Sequence, residues 1–377
     1  MKNTLVEALR LQRMPEAFDG KTYVDKFGYA LKRWAYVREL MFLGYYRHGK
    51  ITGNDIEIRL IKNYIDALID EGIDNEINFD YASTDQISQA NALLFLYDEF
   101  GEEKYKELAG RFFEAMLKFP RTKQGSFWHK SNYPHQVWLD GLYMAHLFYT
   151  GYVKRFCEKK DYSDTLKQLA TVRELCFVPE EGVYYHACDT ERQMFWCDKE
   201  TGLSPNVWLR SVGWLAMALT EIYETIVDDC PEGAAGLKAQ LEELLNGMMP
   251  FRREGMWYQV FNRPGDVNNY LETSGSLMLA FSMMKASRIG MIDECWKQVG
   301  VETYESVVDK FVTEENSEVF LNNICKSAGL GKNPGTGVVR DGSYEYYTTG
   351  EPIVPNNGHG VGALFVAENE YLLAKWK

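Results

Sequence analysis

Apolar residues recur at intervals of three and four along most of the chain, which is the spacing of one face of an α-helix. Runs of alternating apolar and polar residues are few and short, so a sandwich, a barrel or a doubly wound sheet is not expected. Eleven or twelve helices are predicted, with apolar periodicity over 25–48, 54–71, 84–99, 102–117, 134–152, 160–176, 206–228, 234–248, 270–288, 293–312 and 359–375. The sequence therefore predicts an all-α fold.

Short segments between the predicted helices repeat one pattern. Each has a glycine, one variable residue, and then aromatic residues together with a polar residue. The four segments are Gly125–His129, Gly182–His186, Gly255–Gln259 and Gly342–Tyr346. Because glycine suits a tight turn and aromatic residues suit a strand, each segment predicts one arm of a small β-hairpin.

Related motifs mark the start of the helix that follows each segment. In three of them a charged residue follows an aromatic-leucine pair: Val137–Asp140, Val207–Arg210 and Asn269–Glu272. The fourth, Asn356–Gly362, keeps the position without the charge, and Tyr81–Asp85 is an earlier and looser match. A repeated helix start of this kind indicates a repeated structural unit.

The charged residues of these motifs lie about 60 residues apart, which is room for two helices and their connections. Six such helical hairpins fill the chain. A closed ring of inner and outer helices, the (α/α)6 toroid, brings the helix starts to one mouth, whereas an open solenoid spreads them along a concave strip. We therefore predict an (α/α)6 toroid with short β-hairpins at its mouth.

Charge and composition narrow the partners and the location. The 377-residue chain has no proline-, glycine- or serine-rich linker, so we expect one domain over residues 1–377. A formal net charge of −13 argues against a nucleic-acid partner. No apolar run predicts a membrane span, and Glu7 and Arg10 interrupt the run that a secretory signal needs. Scattered cysteines favour a reducing compartment, and we expect a cytoplasmic monomer or homodimer.

Two aspartates at the predicted mouth are candidates for acid–base chemistry on a sugar. Glycosyl chemistry needs a carboxylic acid as proton donor, a second group that steers water, and aromatic faces that hold the ring. Asp140 lies one turn into a predicted helix, within a dense set of aromatic and basic residues, and Asp85 has the matching place one hairpin earlier. The alternative for each is an ordinary first-turn aspartate that interacts with the helix N-terminus.

A basic residue in the next repeat is a candidate for binding an anionic substrate. Arg210 lies between Trp208 and Trp214, and a guanidinium can bind a carboxylate through two hydrogen bonds. The alternative is a structural ion pair between Arg210 and either Asp140 or Glu272.

The histidines give weaker indications. His186 either contacts a ligand or is a structural histidine with its own partners, because the sequence fixes no neighbour for it. His129 and His135 are off the same-face spacing of a helix, and no known metal or phosphate-binding motif is present. We therefore expect neither a metal nor a cofactor.

Five motifs in a fixed order carry a resemblance to a known family. They are Trp128–Lys130, Pro134–Ala145, Tyr185–His186 with Asp189, Trp208–Trp214 and Gly360–Glu370. Together they resemble glycoside hydrolase family 105, the unsaturated rhamnogalacturonyl hydrolases, from about residue 30 to the end. The Trp-x-Asp-Gly-x-Tyr and Trp-x-Arg-Ser-x-Gly-Trp motifs are weak singly and specific in combination.

This resemblance implies an (α/α)6 barrel that releases a terminal 4,5-unsaturated uronic acid from a small pectin-type oligosaccharide. The reaction begins with hydration of the C4=C5 double bond rather than displacement at the anomeric carbon. Asp140 matches the general acid, and Asp85 matches the second essential carboxylate. Seven residues match positions that line the sugar site, the last of them as a stacking platform: His129, Lys130, Trp138, His186, Trp208, Arg210 and Trp214.

The implied chemistry and two departures from the family pattern set further expectations. An enol ether needs a proton donor, so we expect burial and Asp85 to raise the pKa of Asp140 and to give an acidic optimum.

The segment Trp34–Leu40 lacks the glycine expected after its tyrosine, and Thr84 precedes Asp85 where variation is expected. Because both places border the pocket, leaving sugars other than rhamnose stay open.

Two other functions are compatible with the sequence. An inverting glycosidase or a sugar epimerase can use the same toroid, because one fold hosts several chemistries. A toroid that only binds carbohydrate, through the aromatic residues of its mouth, is the second alternative.

Overall fold

A computed structural model describes residues 2–24, 30–333 and 337–375, and thirteen α-helices contain most of these residues. None of the helices described there is long and apolar enough to cross a membrane. The helices are α1 (Lys2–Phe18), α2 (Tyr36–Thr52), α3 (Asp55–Asp70), α4 (Thr84–Ser88), α5 (Asn91–Phe100), α6 (Glu103–Leu117), α7 (Leu139–Phe156), α8 (Ser163–Cys176), α9 (Leu209–Ile226), α10 (Pro231–Met248), α11 (Thr273–Arg288), α12 (Cys295–Phe311) and α13 (Gly358–Lys375).

The helices form a closed ring with an outer layer. Each inner helix packs on the next in the order α2, α4 with α5, α7, α9, α11 and α13, and α13 packs back on α2. Helices α3, α6, α8, α10, α12 and α1 lie against the outside of this ring. This arrangement is the (α/α)6 toroid that the sequence predicts, and it directs the N-terminal ends of the inner helices to one mouth.

Glycine allows two inner helices to approach each other closely beside the mouth. A Cβ atom on Gly275 of α11 would lie 2.6 Å from the Cγ of Leu209 and 3.0 Å from the backbone nitrogen of Arg210, both on α9. A side chain there would push the start of α9 away from α11. The position of Arg210 therefore depends on a neighbour that has no side chain.

Short antiparallel strand pairs connect the helices. The pairs are β1 (Tyr23–Val24) with β2 (Ala30–Leu31), β3 (Gln136–Trp138) with β6 (Ala187–Asp189), β4 (Phe177–Val178) with β5 (Val183–Tyr184), β7 (Val312–Glu315) with β8 (Glu318–Leu321), β9 (Ile324–Cys325) with β12 (Ile353–Val354), and β10 (Gly331–Lys332) with β11 (Val339–Arg340). The prediction of a hairpin arm is confirmed for Gly182–His186. It is wrong for Gly342–Tyr346, because Tyr346 begins a π-helical turn.

Two predicted helices begin later in the structure than the sequence indicated, and one helix was not predicted. Periodicity over 134–152 continued into strand β3, and the helix begins at Leu139. The prediction over 25–48 also began too early, since α2 starts at Tyr36; its residues 25–29 lie outside the described part of the chain. Helix α1 was not predicted, and its place in the fold comes from contacts with α12, α2 and α3.

Charged side chains occupy the axis of the ring below the mouth. Glu221 accepts hydrogen bonds of 2.8 Å from Arg47 and from Lys285. Glu39 is fully buried near this cluster, and its Oε1 atom has no hydrogen-bond partner. Burial and, to a smaller degree, the charge of Glu221 raise the pKa of Glu39 to about 8. Glu39 is therefore largely protonated at neutral pH.

Replacing Glu39 with glutamine should reduce the loss of stability of the fold as the pH rises from about 4.5 to about 8. The raised pKa lets the folded protein keep a proton that the unfolded chain releases, so the wild type loses stability as the pH rises from about 4.5 to about 8. Glutamine does not titrate, so the stability of Glu39→Gln relative to wild type should increase over that window. Urea unfolding at several pH values measures this, and a constant difference between the two proteins would contradict it.

Candidate active site

The charged residues of the repeated motifs lie at the N-terminal ends of three inner helices. Asp85, Asp140 and Arg210 are each the second residue of their helix, in α4, α7 and α9 respectively. Glu272 comes directly before α11 and caps it, accepting hydrogen bonds from the backbone N–H groups of Ser274 (3.1 Å) and Gly275 (2.7 Å). Glu272 therefore differs from the other three charged residues, because its side chain caps a helix.

Backbone hydrogen bonds fix a polar residue beside the start of each of these helices. In every case the first residue of the helix donates its N–H group to the carbonyl oxygen of the last residue of a repeated glycine-aromatic segment. The three bonds join Thr84 to His129 (3.1 Å), Leu139 to His186 (3.2 Å) and Leu209 to Gln259 (3.0 Å). This register, which the sequence did not reveal, brings the histidines to the aspartates.

The Asp85 side of the mouth is a cluster of charged and polar groups. Asp85 forms an ion pair with Lys130, and its Oδ1 lies 3.8 Å from Nε2 of His129. Burial would lower the pKa of Lys130, but Asp85 raises it overall. Burial lowers the pKa of His129 to about 4, so its ring is neutral at neutral pH.

Thr84 fixes the orientation of His129. Its hydroxyl donates to the carbonyl oxygen of His129 at 3.0 Å and lies 3.0 Å from Nδ1 of the same residue. The two contacts together hold the imidazole in place with Nε2 towards Asp85. The unexpected threonine before Asp85 therefore has a defined role.

Aromatic rings connect the two sides of the mouth. Trp138 stacks on His129 with ring centres 4.5 Å apart, and it meets His186 edge-on at 5.2 Å. His186 in turn lies 4.7 Å from Trp208, above which the guanidinium of Arg210 lies at 4.9 Å. One continuous set of contacts thus links Asp85 to Arg210.

Asp140 and His186 form the centre of this set. Oδ2 of Asp140 and Nε2 of His186 are 3.4 Å apart, and among the described residues neither atom has a well-formed hydrogen bond to another group. Burial alone would raise the pKa of Asp140, but His186 and, more weakly, His129 lower it below its ordinary value. The expectation of a raised pKa for Asp140 is therefore wrong, because the sequence did not place His186 beside it.

Arg210 is a buried cation, and no carboxylate within the described ranges lies at ion-pair distance from it. The predicted alternative of a direct pair with Asp140 or Glu272 therefore does not hold. Nη1 donates to Ser274 Oγ (3.1 Å) and to the carbonyl oxygen of Cys325 (2.7 Å), while Nε has no partner among the described residues. Ser274 Oγ in turn donates to Glu272 at 2.7 Å, so a hydroxyl bridges Arg210 and this carboxylate. Burial would lower the pKa of Arg210, but Cys325 and Glu272 raise it overall, so Arg210 is a cation.

Trp214 lies deeper than the other predicted site residues. Its side chain is 1% exposed, and its ring contacts are with Tyr143 at 4.7 Å and Tyr36 at 6.2 Å. Tyr36 is hydrogen-bonded to Nε2 of His359 at 2.6 Å. In this conformation Trp214 therefore meets the mouth through Tyr36.

The structure adds two residues to the site. His359 is the second residue of α13 and so matches Asp140 and Arg210 in the repeat; the quoted motif Asn356–Gly362 contained it. Tyr347 lies with its hydroxyl 2.6 Å from Nδ1 of His186. No pattern signalled Tyr347, since it belongs to the π-helical turn that replaces the fourth predicted hairpin arm.

This arrangement combines a carboxylate that can exchange a proton with a buried cation that can bind an anion. Asp140 is 13% exposed and therefore accessible, while His186 behind it is fully buried. Arg210 supplies a positive charge, and Asp85 supplies a second carboxylate. In the described part of the chain, no three His, Cys, Asp or Glu side chains are grouped as metal ligands would be.

Comparisons with known proteins show the family to which the chain is related. Residues 12–375 match the model of Glycosyl Hydrolase Family 88. A solved family 105 glycoside hydrolase from C. acetobutylicum ATCC 824 is 31% identical, with a TM-score of 0.83 over 96% of this chain and 99% of that one. The unsaturated rhamnogalacturonyl hydrolase YesR of Bacillus subtilis is 28% identical over 264 residues, which is 68% of this chain and 72% of that protein. A solved unsaturated glucuronyl hydrolase specific for heparin shares the fold at 12% identity and a TM-score of 0.74, over 100% of this chain and 98% of that one.

Replacing Arg210 with methionine should cost the fold less stability than breaking a direct buried ion pair. No carboxylate in the described part of the chain lies at ion-pair distance from Arg210, so the substitution leaves no direct partner stranded and also removes a charge that is costly to bury. Arg10→Met is the matched control, because Arg10 is equally buried and pairs with Glu368; it should lose about 3–5 kcal/mol. Urea unfolding measures both, and an equal loss in the two variants would contradict the assignment of Arg210 as a cation without a direct ion pair.

Proposed function

The chain belongs to the glycoside hydrolases of families 88 and 105, and from that premise we propose that it removes the terminal 4,5-unsaturated uronic acid from unsaturated rhamnogalacturonan disaccharides and similar small pectin fragments. The observation that carries the proposal is the buried Arg210, which has no carboxylate at ion-pair distance in the described part of the chain and lies in the same site as Asp140. A uronic acid supplies the missing carboxylate.

The substrate carboxylate binds at Arg210. A guanidinium in a site with little water holds a carboxylate through charge-assisted hydrogen bonds, and the Nε atom of Arg210 has no hydrogen-bond partner among the described residues. Trp208 below the guanidinium limits its movement. A neutral sugar would leave this buried charge without a partner, so the site selects for an acid.

Asp140 carries the proton chemistry. Its carboxylic acid donates a proton to C4 of the unsaturated ring, and the positive charge that develops at C5 is shared with the ring oxygen. Water adds to C5 and returns one proton to the carboxylate of Asp140. The resulting hemiketal opens, and the leaving sugar departs with the glycosidic oxygen, so that one water molecule is consumed overall.

Substrate binding favours the protonated form of Asp140. Within the protein, His186 lowers the pKa of Asp140 below its ordinary value. An anionic uronate bound nearby disfavours a second negative charge and therefore raises the pKa of Asp140 in the complex. Asp85, held by Lys130, is the second carboxylate and binds water or sugar hydroxyl groups on the other side of the mouth.

The leaving sugar decides which polysaccharide is degraded. Formation of the C4=C5 double bond removes the difference at C4 between galacturonic and glucuronic acid, so the terminal residue is the same in both cases. Sequence similarity to the rhamnogalacturonyl hydrolase supports rhamnose as the leaving sugar. Unsaturated glucuronyl disaccharides are the comparison that tests this choice.

Asp140→Asn should abolish turnover while leaving the fold intact. An amide cannot donate the proton, and loss of a general acid costs about 100- to 10,000-fold in rate. The assay follows the ultraviolet absorbance of the conjugated double bond, which disappears as C4=C5 is hydrated.

Asp164→Asn is the matched control for this variant. Asp164 is also the second residue of its helix, α8, but it pairs with Arg121 on the outer layer, so its loss should leave the rate unchanged. Cleavage of a saturated glycoside without loss of absorbance would favour an ordinary glycosidase. Unchanged behaviour of Asp140→Asn in every assay would favour a binding protein.

A further inference from the structure

Tyr347 lies behind the proposed acid, in the π-helical turn Tyr346–Gly350. Its side chain is fully buried, and its ring lies 5.9 Å from that of His186 and 6.3 Å from that of Trp208. Gln259 donates to the backbone oxygen of Tyr347 at 3.1 Å and accepts from Nε1 of Trp208 at 3.2 Å. Gln259 thus fixes Tyr347 relative to the wall of the site.

The hydroxyl of Tyr347 has one hydrogen-bond partner in the described part of the chain. That partner is Nδ1 of His186, at 2.6 Å. Burial and, next, the charge of Asp140 raise the pKa of Tyr347 well above its ordinary value, so the hydroxyl keeps its hydrogen. A buried O–H group needs an acceptor, and here Nδ1 is the available one.

This requirement selects one tautomer of the neutral imidazole. If Nδ1 of His186 carried the hydrogen, the hydroxyl hydrogen of Tyr347 would be buried without an acceptor. If Nδ1 accepts from Tyr347, the hydrogen of the ring has to be on Nε2. Nε2 faces Oδ2 of Asp140 at 3.4 Å, so its hydrogen then points at the carboxylate.

We propose that Tyr347 is a positioning residue that holds His186 in the Nε2–H tautomer and aims this N–H group at Asp140. The inference rests on the proposed function and adds to it a residue that does not touch the substrate. The distance of 3.4 Å between Nε2 of His186 and Oδ2 of Asp140 is long for a hydrogen bond, and catalytic hydrogen bonds commonly tighten in the complex with substrate.

The N–H group of His186 serves both proton transfers of Asp140. When Asp140 gives its proton to C4, the hydrogen bond from Nε2 stabilises the carboxylate that forms. It also occupies Oδ2, so that Oδ1 is the oxygen that exchanges protons with C4 and with water. Without Tyr347 the imidazole can turn or change tautomer, and Asp140 loses this fixed orientation.

The first test needs no substrate. Protein labelled with 15N in histidine gives separate signals for protonated and unprotonated ring nitrogens, and His186→Gln assigns those of His186. In the wild type at neutral pH we expect His186 Nε2 to be protonated and Nδ1 to show an unprotonated, hydrogen-bonded signal. In Tyr347→Phe the Nδ1 signal should shift. A protonated Nδ1 beside an unprotonated Nε2 in the wild type would overturn the proposal.

The second test compares two tyrosines of the same turn. Tyr347→Phe should lower kcat about 10- to 100-fold with little change in KM, because orientation of the acid is lost and not binding. Tyr346→Phe is the control: its hydroxyl donates to Glu351 at 2.7 Å, away from His186, and kcat should stay close to wild type. Equal loss in both variants, or a change in KM alone, would overturn a positioning role.

Together, the NMR test and the kinetic test distinguish a failure of this inference from a failure of the proposed function. If the wild type does not act on unsaturated uronides, the proposed function fails, while the histidine signals still decide the tautomer. If the wild type is active and Tyr347→Phe retains both its kcat and the wild-type signals of His186, the proposed function stands and the inference about Tyr347 fails.

Discussion

The site depends on backbone hydrogen bonds that tie the first residue of an inner helix to the end of a glycine-aromatic segment. The bond between Leu139 and the carbonyl oxygen of His186 places the imidazole beside Asp140, and the bond between Thr84 and His129 does the same beside Asp85. The closed ring supplies the other constraint, because it directs the N-terminal ends of the inner helices to one mouth. The proposed catalytic side chains lie where these two constraints act together.

The closed ring and the convergence of the charged residues could be predicted because the sequence repeats one structural unit. The recurrence of a charged residue at each helix start predicts that Asp85, Asp140 and Arg210 converge, and they do lie in one continuous set of contacts. The ring follows from the period of about two helices. Helix positions were less certain where periodicity ran into a strand, as it did before Leu139.

The features of the site that the sequence did not predict depend on contacts between residues far apart in the chain. The lowered pKa of Asp140 results from His186, and no spacing in the sequence reports a contact between them. Tyr347 was missed because it follows a segment whose pattern predicts a strand, whereas the chain forms a π-helical turn there. Such turns are rare and are frequently found at functional sites. The site thus holds the main departures from the local pattern, as expected where function overrides propensity.

Arg210 is the proposed receptor for the carboxylate of the substrate. The most direct test is calorimetric titration of Asp140→Asn, which we expect not to turn over, with an unsaturated disaccharide and with the same sugar after reduction of its carboxyl group to an alcohol. We predict that the acid binds at least about tenfold more tightly, and that this preference disappears when Arg210→Met is added. Equal affinity for the acid and the alcohol, or a preference that persists without Arg210, would contradict this role of Arg210.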